Sequence, residues 1–103
     1  MKVRVSTEAQ WDIAKEVAYL RGKTNSGIAR FRHLIRRGLA LLADNPEGGF
    51  TESEIPIRGA RRIIVDGWYF DYDIIGDTVW IQRITSSINT PTLFFEDDTD
   101  YEA

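Results

Sequence analysis

The sequence predicts an α+β domain: an N-terminal strand, an antiparallel helical hairpin, then a three-stranded antiparallel meander. Three observations carry that reading. Apolar residues recur twice at helical spacing in the first half of the chain. From Ala60 the composition changes to β-branched and aromatic residues. Two dipeptides, Asp66-Gly67 and Gly76-Asp77, punctuate that second stretch as tight hairpin turns.

Val3 and Val5 alternate with Lys2 and Arg4, the period of a short strand with one buried face. So small an apolar face needs a sheet, so this strand is expected to join the meander. Ser6 or Thr7 then caps a helix. Thr7-x-x-Gln10 matches a capping box, and Glu8 suits the positive end of the helix dipole. Ala9, Ile13, Val17 and Leu20 form its apolar stripe, and it should end near Leu20. Residues 22–27 are a polar break with Asn25 or Ser26 as the next cap. The second helix carries the stripe Ile28, Phe31, Ile35, Leu39 and Leu42, with Arg30, Arg32, Arg36 and Arg37 mostly on other faces. Asp44-Asn45-Pro46 stops it, because proline restricts the residue before it. Residues 46–59 read as irregular. Ile63 to Val65, Trp68 to Ile75 and Thr78 to Ile84 are the three arms of the meander.

The chain has 103 residues, which fits one domain, placed at 1–92 with an aromatic and acidic tail at 93–103. Its 43% hydrophobic content is enough for one core and argues against wholesale disorder. There is no cysteine, which excludes disulfides and thiolate metal sites and fits a reducing, cytoplasmic compartment. The opening Met1 to Ser6 lacks the apolar core of a secretory signal. No apolar run approaches the roughly 20 residues that span a bilayer. Charge is uneven: residues 1–46 carry +5 and residues 47–103 carry −8. Glu96, Asp97, Asp98, Asp100 and Glu102 supply five of those acids, so the low pI is partly a tail effect. These acids repel and bury little, so residues 96–103 are expected to be mobile.

Chemistry is sparse. His33 is the single histidine and reads as a solvated surface residue. No Gly-x-Ser-x-Gly elbow accompanies it, and Gly48-Gly49 is no phosphate loop, since no Gly-Lys-Ser/Thr follows. Neither a metal site nor a cofactor is expected. Asp71 and Asp73 share a strand face and read as its wet side. Arg58, Arg61 and Arg62 cluster before and in the first arm of the meander, and Arg83 lies in the last. Their planar guanidiniums suit phosphate or carboxylate, or pairing with nearby acids. Leu93-Phe94-Phe95 is an extra strand, a self-docking segment or a hook for a partner.

The order of elements and several segments resemble the RelE/ParE superfamily of type II toxin–antitoxin toxins, its ParE-like, plasmid-stabilisation branch in particular. Val3-Arg4-Val5-Ser6-x-x-Ala9-x-x-Asp12-Ile13 is similar to that family's first strand and helix start. Tyr19-Leu20, Phe31 and Leu41-Leu42-Ala43-Asp44-Asn45-Pro46-Glu47-Gly48-Gly49 resemble its helical hairpin and stop. Gly59-Ala60-Arg61-Arg62-Ile63-Ile64-Val65, Tyr69-Phe70-Asp71-Tyr72 and Val79-Trp80-Ile81-Gln82-Arg83-Ile84 resemble its strands. The resemblance implies a toxin held by a cognate antitoxin whose C-terminal segment packs into grooves beside the helices and sheet. Ile13, Val17, Leu20, Phe31, Ile35, Trp68 and Trp80 are the residues expected to line them. It implies DNA gyrase as target, or the ribosome if the chain is a RelE-like mRNA endonuclease, with Arg58, Arg61, Arg62 and Arg83 contacting target or phosphate. Residues 84–89 lack the basic and histidine residues common in RelE, which favours the gyrase reading and binding over catalysis. A non-toxic binding relic is the third reading. No small-molecule substrate and no membrane partner are expected.

Overall fold

The computed structural model describes residues 1–51 and 60–87. Its elements are β1 (Lys2–Val5), α1 (Thr7–Arg21), α2 (Asn25–Asp44), β2 (Arg61–Val65), β3 (Trp68–Ile75) and β4 (Thr78–Ser86). This is the predicted α+β order. The strands form one sheet in the order β1-β4-β3-β2. β1 does join it, parallel to β4, with Val5 opposite Ile81.

Ser6 explains how strand passes to helix. Its backbone N–H donates to Ile81 O at 2.9 Å, which keeps Ser6 extended, and its Oγ accepts from Ala9 N at 3.1 Å. The same hydroxyl donates to Gln82 O at 3.1 Å. Ser6 is therefore the cap. The predicted Thr7 box does not form, because Gln10 donates its side-chain amide to Val5 O instead. Thr24, not Asn25 or Ser26, caps α2, its Oγ1 accepting from Gly27 N at 3.2 Å. A Cβ on Gly27 would lie 2.5 Å from the Thr24 methyl, so the cap geometry demands glycine there. Asn45 ends α2, its N–H reaching Leu41 O.

The buried face of α2 is Phe31, Leu34, Ile35, Gly38 and Leu42, while the predicted Ile28 and Leu39 sit at its margins. Gly38 shifts the face, because the Phe70 ring lies where a Cβ would point, 2.5 Å away. Phe70, Tyr72, Val79, Ile81 and Ile84 supply the sheet side of this core. Trp68 joins it through a tilted ring contact with Phe31, centroids 5.0 Å apart. Two turns set the register. Asp66 and Gly67 both hold positive φ, 49° and 83°, as a type I′ hairpin requires, and Gly76 takes φ 63° in the next. Among the described residues no helix is long and apolar enough to cross a membrane.

Tyr72 ties the segment after α2 to the sheet. Its hydroxyl donates to Pro46 O at 2.7 Å and accepts from Gly49 N at 2.9 Å. Burial, foremost, pushes its pKa above the ordinary 10.0; the Gly49 N–H and Arg61 pull it down, and Glu47 pushes it up. The folded state therefore holds the proton longer than the unfolded chain. Its contribution is complete below about pH 10 and is lost as pH rises through the folded value. Tyr72→Phe is expected to cost about 2 kcal/mol in urea unfolding at pH 7, since both partners lose a bond. It should also flatten the decline of stability above pH 10 that the native chain shows.

Candidate functional site

The charged residues are organised by strand register. Asp71 on β3 stands opposite Arg62 on β2 and opposite Arg83 on β4. All three therefore share the sheet face turned away from α2, since Phe70 and Tyr72 take the other. Arg62 grips Asp71 bidentately, Nε to Oδ1 at 2.6 Å and Nη2 to Oδ2 at 3.0 Å. It also lies over the Tyr69 ring, 4.0 Å from its centroid. Arg83 turns towards α1 and grips Asp12, Nε to Oδ2 at 2.8 Å and Nη2 to Oδ1 at 3.0 Å. Asp12 also accepts from Ile84 N at 2.9 Å. That bond closes the edge of β4 beyond the end of β1. Hydrogen bonding to Asp12, foremost, raises the Arg83 pKa, with burial opposing it.

The result is a row, Arg62–Asp71–Arg83–Asp12, in which opposite charges alternate. A β-bulge lies within it: β4 spends one extra residue, Gln82, between the partners of Asp71 and Tyr72. The predicted wet face of β3 is thus corrected at Asp71, which is 1% exposed. Arg62 and Arg83 cover it from both sides, which a reading of β3 alone does not reveal. Asp73 is half-buried and accepts from Ile74 N.

The structure separates the predicted contact arginines. Arg62 and Arg83 are engaged by carboxylates. Arg61 points to the helix side, where Nη1 donates to Gly49 O at 3.3 Å, and no carboxylate among the described residues pairs with it. Arg58 lies outside the described residues. The predicted groove residues also divide. Val17, Phe31 and Ile35 are sealed in the core, because helices and sheet need their stripes to pack against each other. Ile13, Leu20 and Trp68 are partly buried against them. Trp80 lies on the opposite sheet face, beneath the Arg4 guanidinium at 5.9 Å. His33 is exposed, as expected.

Two clefts remain. One, about 670 Å³, lies between α1 and the end of β4, where Lys15, Glu16, Tyr19 and Trp68 surround the Asp12–Arg83 pair. Trp11 and Tyr19 are strongly exposed on the same helix. The second, about 350 Å³, lies between α2 and β2 and is mainly apolar: Leu41, Phe50, Ile63, Ile64 and Val65. The exposed apolar positions Trp11, Leu41, Phe50 and Ile64 were not singled out in the sequence. They fall off the stripes, and only the folded layers show which apolar residues are surplus to the core. Among the described residues no cluster of His, Cys, Asp and Glu is arranged to hold a metal.

The chain thus joins a strand, a helical pair and an antiparallel meander that carries an arginine in its last strand. The family model described as ParE toxin of type II toxin-antitoxin system, parDE, matches residues 3–87. The chain belongs to the ParE toxin family. This ParE-family chain is also similar to a solved structure, "Chromosomal ParDE TA system from P. aeruginosa", with a TM-score of 0.69. The two share 17% identity, over 84% of this chain and 95% of that one, so the likeness is one of fold. No curated protein matches it. Residues 88–103 lie beyond the matched ParE domain.

Proposed function

We propose that the chain is the toxin of a type II pair, that it acts on DNA gyrase through protein–protein contact, and that a cognate antitoxin peptide neutralises it. Membership of the ParE family over residues 3–87 supports the toxin reading. The observation that carries the choice of target is the neutralised arginine row. Cleaving RNA needs cations aimed at the developing phosphorane charge and a group to move a proton. Here Arg62 and Arg83 each face a carboxylate of this same chain, and His33 stands on α2, away from that row. The surface that remains suits protein contact: exposed Tyr19 in a mixed-charge cleft, exposed Trp11 on the same helix, and exposed Leu41, Phe50 and Ile64 beside an apolar cleft. The apolar surfaces fit an antitoxin segment that folds as it binds.

Expression of the full chain in a bacterial host is expected to arrest growth and induce the DNA-damage response, with translated mRNA intact. Purified chain should inhibit gyrase supercoiling, and the product of the adjacent short reading frame should relieve it. Ribosome-dependent mRNA cleavage with gyrase unaffected would transfer the assignment to an endonuclease. Absence of any growth arrest would leave a binding relic.

A further inference from the structure

We propose that the outer face of α2 is a contact surface for the phosphate backbone of duplex DNA. Charge is the starting observation. Between Asn25 and Ala40 the exposed positions of α2 hold Arg30, Arg32, His33, Arg36 and Arg37, and no acid. These five spread over about 160° of the helix surface, centred opposite the buried Phe31, Leu34, Ile35 and Leu42. Arg37 is held by Asp66 at 2.6 Å. No carboxylate among the described residues pairs with Arg30, Arg32 or Arg36. Helix stability does not account for this distribution. α1 has Glu8 in its first turn and Arg21 in its last, which suits the helix dipole. α2 has no acid in its first turn and no base in its last. Arg32 and Arg36 stand four residues apart as like charges, which weakens a helix. Mixed charge would serve solubility equally well. The face gives up some helix stability for an unbroken positive surface.

Two observations choose the partner. The exposed positions from Asn25 to Ala40 include no large apolar side chain. Protein interfaces draw affinity from buried aromatic and aliphatic anchors, whereas phosphate contact needs only cations. Arginine's planar fork suits phosphate in particular. The second observation is the layout. Arg32 and Arg36 lie on one flank of the helix and Arg30 and Arg37 on the other, with Ala29, His33 and Ala40 along the crown. A helix is about 10 Å across, and the major groove of duplex DNA is about 12 Å wide. α2 lying along that groove would bring guanidiniums to the phosphates of both strands, and the small alanines of the crown allow close approach. The field at this face is set locally: the described residues carry +3, with twelve Lys/Arg against nine Asp/Glu. The face also lies across the domain from the neutralised row of Arg62, Asp71, Arg83 and Asp12. The inference is independent of the gyrase reading; where that reading holds, α2 adds a contact to the DNA that gyrase binds.

Fluorescence anisotropy of a short labelled DNA duplex of mixed sequence tests this on the full chain, with no gyrase present. Three phosphate contacts give log K a slope of about −2.7 against log salt, a loss of about 40-fold between about 50 and 200 mM. The triple variant Arg30→Gln, Arg32→Gln, Arg36→Gln is expected to bind at least about 10-fold more weakly at low salt and to lose most of that slope. Far-ultraviolet circular dichroism reports that the variant is folded. Arg32→Glu should also weaken binding while holding Tm at or above the native value, because an acid there pairs with Arg36 one turn on. A lower Tm would mean that Arg32 serves the helix itself, and counts against the proposal. No salt-dependent binding by the native chain, or equal binding by the triple variant, overturns it. So does equal affinity for a polyglutamate peptide, which would assign the face to an acidic protein segment.

Discussion

Replacing Asp71 by alanine is expected to lower the unfolding free energy by about 3–5 kcal/mol, the cost of stranding one member of a buried ion pair. The Arg62 side chain is 11% exposed and that of Asp71 2%, so water cannot take over the lost contacts. Alanine leaves a desolvated guanidinium without this carboxylate, and removes the negative charge between two arginines. A small domain has roughly 5–15 kcal/mol in total, so the variant sits near the limit of folding. Urea unfolding followed by tryptophan fluorescence measures the loss; a value below about 1 kcal/mol would mean that solvent reaches the pair. The double variant Arg62→Leu, Asp71→Leu should be more stable than Asp71→Ala alone, because no charge is left stranded. A double variant as weak as the sum of its parts would overturn that account.

The elements of this fold were legible because each rests on local signals. The Asp66-Gly67 turn needs positive φ at two successive residues, and few dipeptides supply it. The α2 stripe follows from a 3.6-residue period; Ile28 and Leu39 fall to its margins, and at Leu39 the face turns towards Leu34 and Gly38, where Phe70 approaches closely. The α2 cap lies one or two residues before the expected Asn25 or Ser26, and of the two candidates for α1 a non-local bond selects Ser6. Ser6 is held extended by Ile81, which is 75 positions away in the chain. The candidate site was less legible. Asp12 lies among apolar stripe residues of α1 and looks like an ordinary polar neighbour. Its partners, Arg83 and the N–H of Ile84, become visible only when β4 is placed beside α1. Asp71 likewise reads as solvent-facing until both flanking strands bring arginines to it.

That alternating row has a consequence for function. It turns four potentially interacting charges into a nearly neutral strip across the sheet, so the open sheet face carries less field than its arginine count suggests. Recognition of a polyanion through this face would first have to displace Asp12 or Asp71. Recognition of a protein surface carries no such requirement. The geometry and the modest net charge of −3 point the same way.

The two ends of the Asp12–Arg83 pair are expected to differ in cost. Asp12→Ala should lose about 3 kcal/mol, and Arg83→Ala about 1 kcal/mol. The asymmetry comes from exposure and from what each residue serves. The Asp12 side chain is 7% exposed, whereas that of Arg83 is 42% exposed. Removing Asp12 orphans the buried N–H of Ile84 as well as the guanidinium. Removing Arg83 leaves Asp12 still accepting from Ile84 N at the strand edge, and opens its carboxylate to water from the cleft. Asp12→Asn should fall between the two, because its amide oxygen can still accept from Ile84 while the bidentate grip on Arg83 is lost. Thermal unfolding of the three variants checks the order, and an Arg83→Ala loss equal to that of Asp12→Ala would show that the ion pair, not the backbone bond, carries the stability. Because Arg83→Ala is expected to stay folded, a loss of toxicity in that variant reads as a lost contact with the target, whereas the same loss in Asp12→Ala reads as a weakened domain.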